Sequence, residues 1–155
     1  MRYVGVISDT HGLLRREALA ALRGSALIIH AGDVGSPQIL AALGELAPVF
    51  AVRGNVDHGA WTRQLPETEI VRIERHMVYV LHDLAALDLD PPSAGFAAVI
   101  SGHSHRPAIE THDGVIYFNP GSAGPRRFDL PVTVGKLKVS GNGLEAEIVD
   151  LTSIV

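Results

Sequence analysis

Two carboxylates, one carboxamide and four imidazoles fall just after apolar, strand-like runs of this 155-residue chain. Asp9 and His11 follow YVGVI, Asp33 follows ALIIHAG, and Asn55 follows VFAVRG. His82 follows MVYVL, and His103 and His105 follow AAVISG. Random polar residues do not fall repeatedly at strand ends beside glycines. Loops at the carboxyl ends of strands are where open α/β folds build their sites. A mixture of oxygen and imidazole donors suits a pair of first-row transition ions better than calcium, which takes all-oxygen ligands. Each residue alone has a plainer use. Asp9 or Asp33 can cap a helix, Asn55 can close an Asx-turn, and His103 and His105 can be turn residues. Together they favour metal binding. In Asp9-x-His11 and His103-x-His105 the two-residue period of a strand would send both side chains to one face. Glycines 12, 32, 54 and 102 would let the backbone turn tightly beside the ions. His30 reads as a structural residue behind the site and Asp57 as a support of the Asn55 turn. His58, His76 and His112 read as ordinary surface or loop histidines.

The elements that must position these groups are legible from patterning. Tyr3 to Ile7, Ala26 to His30 and Pro48 to Val52 read as strands. Leu13 to Leu22 has helical spacing, with Gly24 as its stop. Ser36 and Pro37 read as the N-cap and first position of a helix to about Leu43. This βαβαβ start predicts a parallel sheet. Later strands are predicted at Glu69 to Glu74, Met77 to Leu81, Ala97 to Ser101, Ala108 to Thr111 and Val115 to Asn119. Val132 to Ser140 and Leu144 to Asp150 flank the turn Gly141-Asn142-Gly143. The succession suggests a second, mixed sheet. A helix opening near Asp83 should end before Pro91 and Pro92.

Composition narrows the class. Hydrophobic residues make up 46% and charged residues 19%, which excludes a chain disordered by composition. A net charge of −4 gives no electrostatic footprint for gripping nucleic acid. There is no cysteine, so thiolate zinc sites and disulfides are excluded. No run approaches the roughly 18 apolar residues of a membrane span, and the first residues show no signal-peptide pattern. The expectation is one domain over residues 1–155, cytoplasmic and away from membranes.

SDTHG, HAGDVG, RGNVD, the His82 strand end, SGHSHRP and NPGSAGPRR resemble, in order, the calcineurin-like metallophosphoesterase superfamily. The closer resemblance is to its YfcE-like group of small bacterial and archaeal single-domain phosphodiesterases. It covers nearly the whole chain. It implies an α/β fold, a layered α/β/β/α sandwich of two mixed sheets. It implies a dinuclear centre with Asp9, His11 and His105 on one ion, Asn55, His82 and His103 on the other, and Asp33 bridging. Asp33, Asn55 and His82 would act most directly in the reaction, and Asn55 and Arg127, or its neighbour Arg126, would contact the substrate. The cofactors implied are two divalent transition ions, manganese first, with nickel, iron or zinc as alternatives. The activity implied is attack of a metal-activated water or hydroxide on a small phosphodiester or nucleotide-like substrate. Two departures matter. Close relatives carry His-Gly-His where this chain reads His82-Asp83-Leu84, and other branches place a candidate general acid where this chain has Val56. The competing use of the fold is a non-catalytic, metal-binding scaffold like the eukaryotic sorting-complex subunit. Degenerate ligands mark that use, whereas all seven ligand types are kept here.

Overall fold

The computed structural model describes residues 3–155. Strand β1 (Val4–Ile7) leads to helix α1 (Arg16–Leu22), β2 (Leu27–His30), α2 (Pro37–Gly44) and β3 (Val49–Ala51). A 3-10 turn at Ala60–Gln64 precedes β4 (Thr68–Ile73) and β5 (His76–Leu81). A second 3-10 turn, Leu84–Ala86, and the short helix α3 (Pro91–Ala94) follow. Strands β6 (Phe96–Ile100), β7 (Ala108–His112), β8 (Val115–Asn119), β9 (Thr133–Ser140) and β10 (Gly143–Asp150) complete the order.

These strands form two mixed sheets of five, ordered β10-β9-β1-β2-β3 and β4-β5-β6-β8-β7. In the first, β1, β2 and β3 are parallel, and β9 is antiparallel to both β1 and β10. In the second, β5, β6 and β8 are parallel and the edge strands β4 and β7 are antiparallel. The central strands are apolar at successive positions because both of their faces are covered. Val4, Val6, Ile29 and Leu137 meet Val78, Val80, Ile100 and Phe118 between the sheets. On the other face of the first sheet, Ile7 and Ile28 pack with Ala18 and Leu22 of α1 and with Ile39 and Leu43 of α2. On the far face of the second sheet, Tyr79, Leu81, Val99 and Val115 gather Leu87, Leu89 and Phe96. The architecture is α/β/β/α, with a thin outer layer on the second sheet. Among the described residues no helix is long and apolar enough to cross a membrane.

Most predicted elements recur with ends shifted by about one residue. Two differ in kind. Helix α1 starts at Arg16 rather than Leu13, because the backbone at Arg15 is extended and Leu13 is 38% exposed; the first turn is given up to the loop that carries His11. The region after His82 also differs. Only the 3-10 turn forms near Asp83, and Pro91 and Pro92 open a helix instead of terminating one. Proline's fixed φ and missing N–H suit the first helical positions, and Gly95 closes the helix in a left-handed conformation, φ 84°.

Candidate metal centre

The parallel strands of both sheets deliver their carboxyl ends to one edge of the sandwich. Asp9 and His11 lie beyond β1, Asp33 beyond β2, Asn55 beyond β3, His82 beyond β5, and His103 and His105 beyond β6. Main-chain hydrogen bonds tie these loops to one another. Asp9 donates to Gly32 (3.0 Å), His11 to Asp33 (2.9 Å), Gly12 to Val34 (2.9 Å) and Gly102 to His82 (2.9 Å). The buried Asp57 carboxylate accepts from the amides of Val34, Gly35 and Gly54 at 2.9–3.2 Å, joining the Asp33 loop to the Asn55 loop. Its supporting role therefore extends to the Asp33 turn as well.

The backbone at the site is strained. Asp9, His11, Asp33, His103 and His105 all have positive φ, between 46° and 71°. Asp and His tolerate this left-handed region better than most residues, and such strain clusters where function over-determines the chain. The two-residue strand period is thus not what aligns Asp9 with His11 or His103 with His105. Both pairs lie past the strand ends, in left-handed turns. Two of the glycines serve close approach rather than unusual φ. A Cβ on Gly54 would overlap the amide and carboxylate of Asp33, and one on Gly102 would strike Ser8 Oγ and stand 2.6 Å from Asp9 Oδ2.

The side chains form two groups. The donor atoms of Asp9, His11 and His105 lie within 4.8 Å of one another, and so do those of Asp33, His82 and His103. Asp33 Oδ2 lies between the groups, 3.5 Å from His11 Nε2 and 3.1 Å from His82 Nε2. Its partner Oδ1 is held by the Val56 amide at 3.0 Å. Asn55 is exposed, yet its Oδ1 reaches His82 Nε2 at 3.1 Å. His103 is exposed as well, edge-on to the His82 ring at 5.2 Å between centroids and 3.9 Å from Asp83 Oδ2.

Valence decides what this arrangement can hold. A carbonyl oxygen only accepts, so His82 Nδ1 must donate to Ala31 O at 2.7 Å. In the neutral ring Nε2 then presents a lone pair to two oxygens, Asp33 Oδ2 and Asn55 Oδ1, each 3.1 Å away. Three electron-pair donors converge with no hydrogen among them, and only a proton or a metal cation satisfies all three. The other group is similar. Asp9 Oδ2 accepts from Ser8 Oγ (2.7 Å) and the His103 amide (3.1 Å). Its Oδ1 is buried without a hydrogen-bond partner and faces His105 Nε2 at 3.4 Å and His11 Nε2 at 3.7 Å. The two imidazole Nε2 atoms are themselves 3.3 Å apart. An orphaned buried carboxylate oxygen among imidazoles fits a divalent cation.

Proton affinities report the same crowding. Burial raises the Asp9 pKa despite the Ser8 hydroxyl and the His82 and His105 charges. Burial also acts to raise that of Asp33, but the His82 hydrogen bond, the Val56 amide and nearby positive charge bring it down to about 2. For His82, burial opposes protonation, yet Asp33, the Ala31 carbonyl and Asp9 together raise its pKa. His105 is lowered, chiefly by burial, which works against the Asp9 charge and is assisted by the Arg127 and His11 charges.

Several supports stand behind these side chains; Ser8 and Thr10 carry no signal in the sequence, whereas His30 reads there as structural. Ser8 orients Asp9, and Ser122 Oγ donates to the Asp9 carbonyl at 3.1 Å. His30 is fully buried. It accepts from the Gly32 amide at Nδ1 (3.1 Å), so Nε2 donates to Thr10 Oγ1 (3.0 Å), which donates on to Val34 O (2.7 Å). Asn119 Nδ2 donates to the Gly102 carbonyl at 2.9 Å, so the Asn119-Pro120-Gly121-Ser122 loop shapes the site. Arg126 turns to its own loop, donating to Leu130 O at 3.0 Å. Arg127 is exposed, and its charge is felt at His105. His58 and His112 are exposed and His76 is half-buried on β5, all outside both groups.

The sequence model of the calcineurin-like phosphoesterase superfamily domain matches residues 1–142. A probable metallophosphoesterase of Methanothermobacter thermautotrophicus is 36% identical over 159 residues, covering 94% of this chain and 91% of that protein. Among solved structures, an archaeal phosphodiesterase superposes with a TM-score of 0.78 at 23% identity, over 95% of this chain and 99% of that one. Vps29 of Entamoeba histolytica complexed with zinc superposes at 0.73 and 23% identity, over 96% and 98% of the two chains. The convergent donor groups at the strand ends and these matches lead to one conclusion: the chain belongs to the calcineurin-like phosphoesterase superfamily.

Proposed function

We propose that this protein is a metal-dependent phosphodiesterase with a dinuclear centre. The observation that carries the reading is Asp33 Oδ2, within 3.5 Å of His11 Nε2 on one side and 3.1 Å of His82 Nε2 on the other. Asp9, His11 and His105 would hold one ion, and Asn55, His82 and His103 the second, with Asp33 shared. Imidazole-rich sites suit manganese, nickel, iron or zinc, and manganese is the first to test. When bound, two such ions would acidify a water and draw charge from the phosphoryl oxygens, which is what in-line hydrolysis of a diester needs.

The chain's own groups would supply position. The Val56 amide fixes Asp33 Oδ1, so the carboxylate cannot swing out of the shared place. The Ala31 carbonyl fixes the tautomer and angle of the His82 ring. Asn55 would give its oxygen to the second ion and leave its NH2 for a phosphoryl oxygen. Arg127, exposed on the loop beside His105, would meet another phosphoryl oxygen. The similarity to an archaeal phosphodiesterase and to a probable metallophosphoesterase supports this reading.

The test is hydrolysis of bis-p-nitrophenyl phosphate by metal-stripped protein, titrated with Mn²⁺, Ni²⁺, Zn²⁺ and Mg²⁺. Turnover should depend on the ion and vanish in Asp33→Ala. A second reading, a metal-binding scaffold, draws on Asp83 and Leu84 in place of the Gly-His of close relatives. Stoichiometric metal binding with no turnover of any ester would favour it.

A further inference from the structure

Two clefts open on either side of the His82–His103 pair and meet at Asp83. One, of about 410 Å³, runs past Arg53, Glu67, Thr68 and Asp88 and is polar. Its Arg53 guanidinium is paired with Glu67 at 3.1 Å. The other, of about 340 Å³, is predominantly apolar and runs from His103 across the outer face of the second sheet. Leu84, Ala108 and Tyr117 are its apolar walls, and Ser104, Arg106 and Glu110 lie along its rim.

Several features of the apolar cleft point to a ligand. Its volume falls within the roughly 300–1,000 Å³ of small-molecule sites, and such sites combine apolar walls with a few polar groups. Leu84 is 41% exposed there, although it is a large apolar side chain beside a highly polar centre. The Tyr117 ring is only part-buried, braced edgewise by His112 at 5.5 Å. Arg106 is exposed and uncommitted, since Arg16 and Arg53 make the arginine salt bridges among the described residues. A tyrosine ring and an uncommitted guanidinium lining one apolar groove are groups that hold a planar ring by stacking and cation–π attraction. A phosphodiester has two ester arms, and the centre has two unlike clefts.

We propose that the Tyr117 cleft is a subsite for a planar aromatic group on one arm of the diester, with the polar cleft receiving the other arm. The inference rests on the phosphodiesterase reading and names the substrate class within it: an asymmetric diester bearing an aryl group or a nucleobase.

Binding separates this inference from the activity on which it rests. Mn²⁺-loaded protein is titrated calorimetrically with phenyl phosphate and methyl phosphate, which share a phosphate and differ in the ring. Adenosine 5′-monophosphate and ribose 5-phosphate form a second pair, in which a sugar separates ring from phosphate. The ringed member of at least one pair should bind about tenfold tighter or more, within the range of single aromatic stacking contacts. Which pair shows it tells an aryl group from a nucleobase. The advantage should fall to less than about threefold in Tyr117→Leu and shrink in the exposed variant Arg106→Ala. The readout is the ratio within a pair, which general loss of metal or fold does not mimic. Equal affinities within both pairs in the unaltered protein would overturn the subsite, even if bis-p-nitrophenyl phosphate is hydrolysed. A ring preference that survives both substitutions would overturn it too. A ring preference lost in the variants, in a protein that hydrolyses no diester, would uphold the subsite while the phosphodiesterase reading fell.

Discussion

Asp9 Oδ1 is left without a hydrogen-bond partner in an arrangement that has room because Gly102 has no side chain. A Cβ there would press on Ser8 Oγ and Asp9 Oδ2, the two atoms whose hydrogen bond turns Oδ1 toward His11 and His105. Gly102→Ala should lower metal affinity at least tenfold by calorimetric titration. Its cost in stability should be about 1–3 kcal/mol by urea unfolding, the usual penalty of overpacking. Undiminished metal affinity would show that Asp9 is oriented by something else. Val56 marks a second residue-scale consequence. Where a general acid would stand, this chain offers an exposed valine whose amide is already committed to Asp33. Proton donation contributes typically about 10²–10⁴-fold, so kcat on a series of aryl diesters should fall steeply as the leaving-group pKa rises. A flat dependence would contradict this. At this scale the donor types and their spacing were plain in the sequence. The second layer was not. Ser8 and Thr10 are ordinary residue types whose roles depend on partners up to 24 positions away, whereas His30 reads as structural from the sequence.

Elements locate the residues, and their ends do so most. Helix α2 has a serine cap accepting from the Gln38 amide at 3.2 Å and a proline in its first turn. Both signals are local, which is why this helix was predicted within a residue of its observed ends. Helix α3 was not, because two prolines read equally as the stop of one helix or the start of another. The choice fell to packing: Pro91 is buried and Leu87, Leu89 and Phe96 cover the second sheet. Gly95→Ala tests the closing turn. An added Cβ meets nothing within 4 Å, so the cost is conformational, from φ 84° alone. Stability should fall by about 1–2 kcal/mol in thermal or urea unfolding, with metal affinity unchanged because α3 makes no part of either donor group. A loss of metal affinity would mean that the outer layer positions His82 or His103 after all.

Across the whole molecule, folding gathers acids and imidazoles into two donor groups whose chemistry suits divalent cations. Saturating Mn²⁺ should therefore stabilise the protein, by about 2.7 kcal/mol at a concentration one hundred times Kd. For a chain of this size that is a rise of roughly 5–11 °C in Tm by calorimetry, and Asp33→Ala should lose most of it. A second prediction follows from His30. Burial holds its folded pKa down to about 4 against an ordinary 6.5. Between these values the unfolded chain takes up a proton that the folded protein refuses. This contribution to stability is complete above pH 6.5 and is lost as pH falls toward 4, by up to about 3 kcal/mol. His105, also lowered, acts with the same sign. The raised His82 acts oppositely, its contribution fading as pH climbs through its folded value. Urea unfolding in chelator at pH 7.5 and pH 5, beside His30→Gln, isolates the His30 share as a shallower decline in the variant. Equal declines would show that His30 is not the group responsible.

The sequence by itself supplied the candidate donor types and most of the strands that carry them, because ligand chemistry and apolar periodicity are local properties written in residue order; patterning alone suggested a second, mixed sheet, and the layered α/β/β/α class came from the resemblance to the calcineurin-like phosphoesterases. Tertiary structure alone decided how the donors converge. Left-handed turns, rather than strand alternation, aim Asp9, His11, His103 and His105, and a single carboxylate oxygen of Asp33 reaches both groups. Those outcomes depend on loops from two sheets meeting at one edge, where backbone conformation is set by distant partners and close approach. No neighbouring residue in the chain records them.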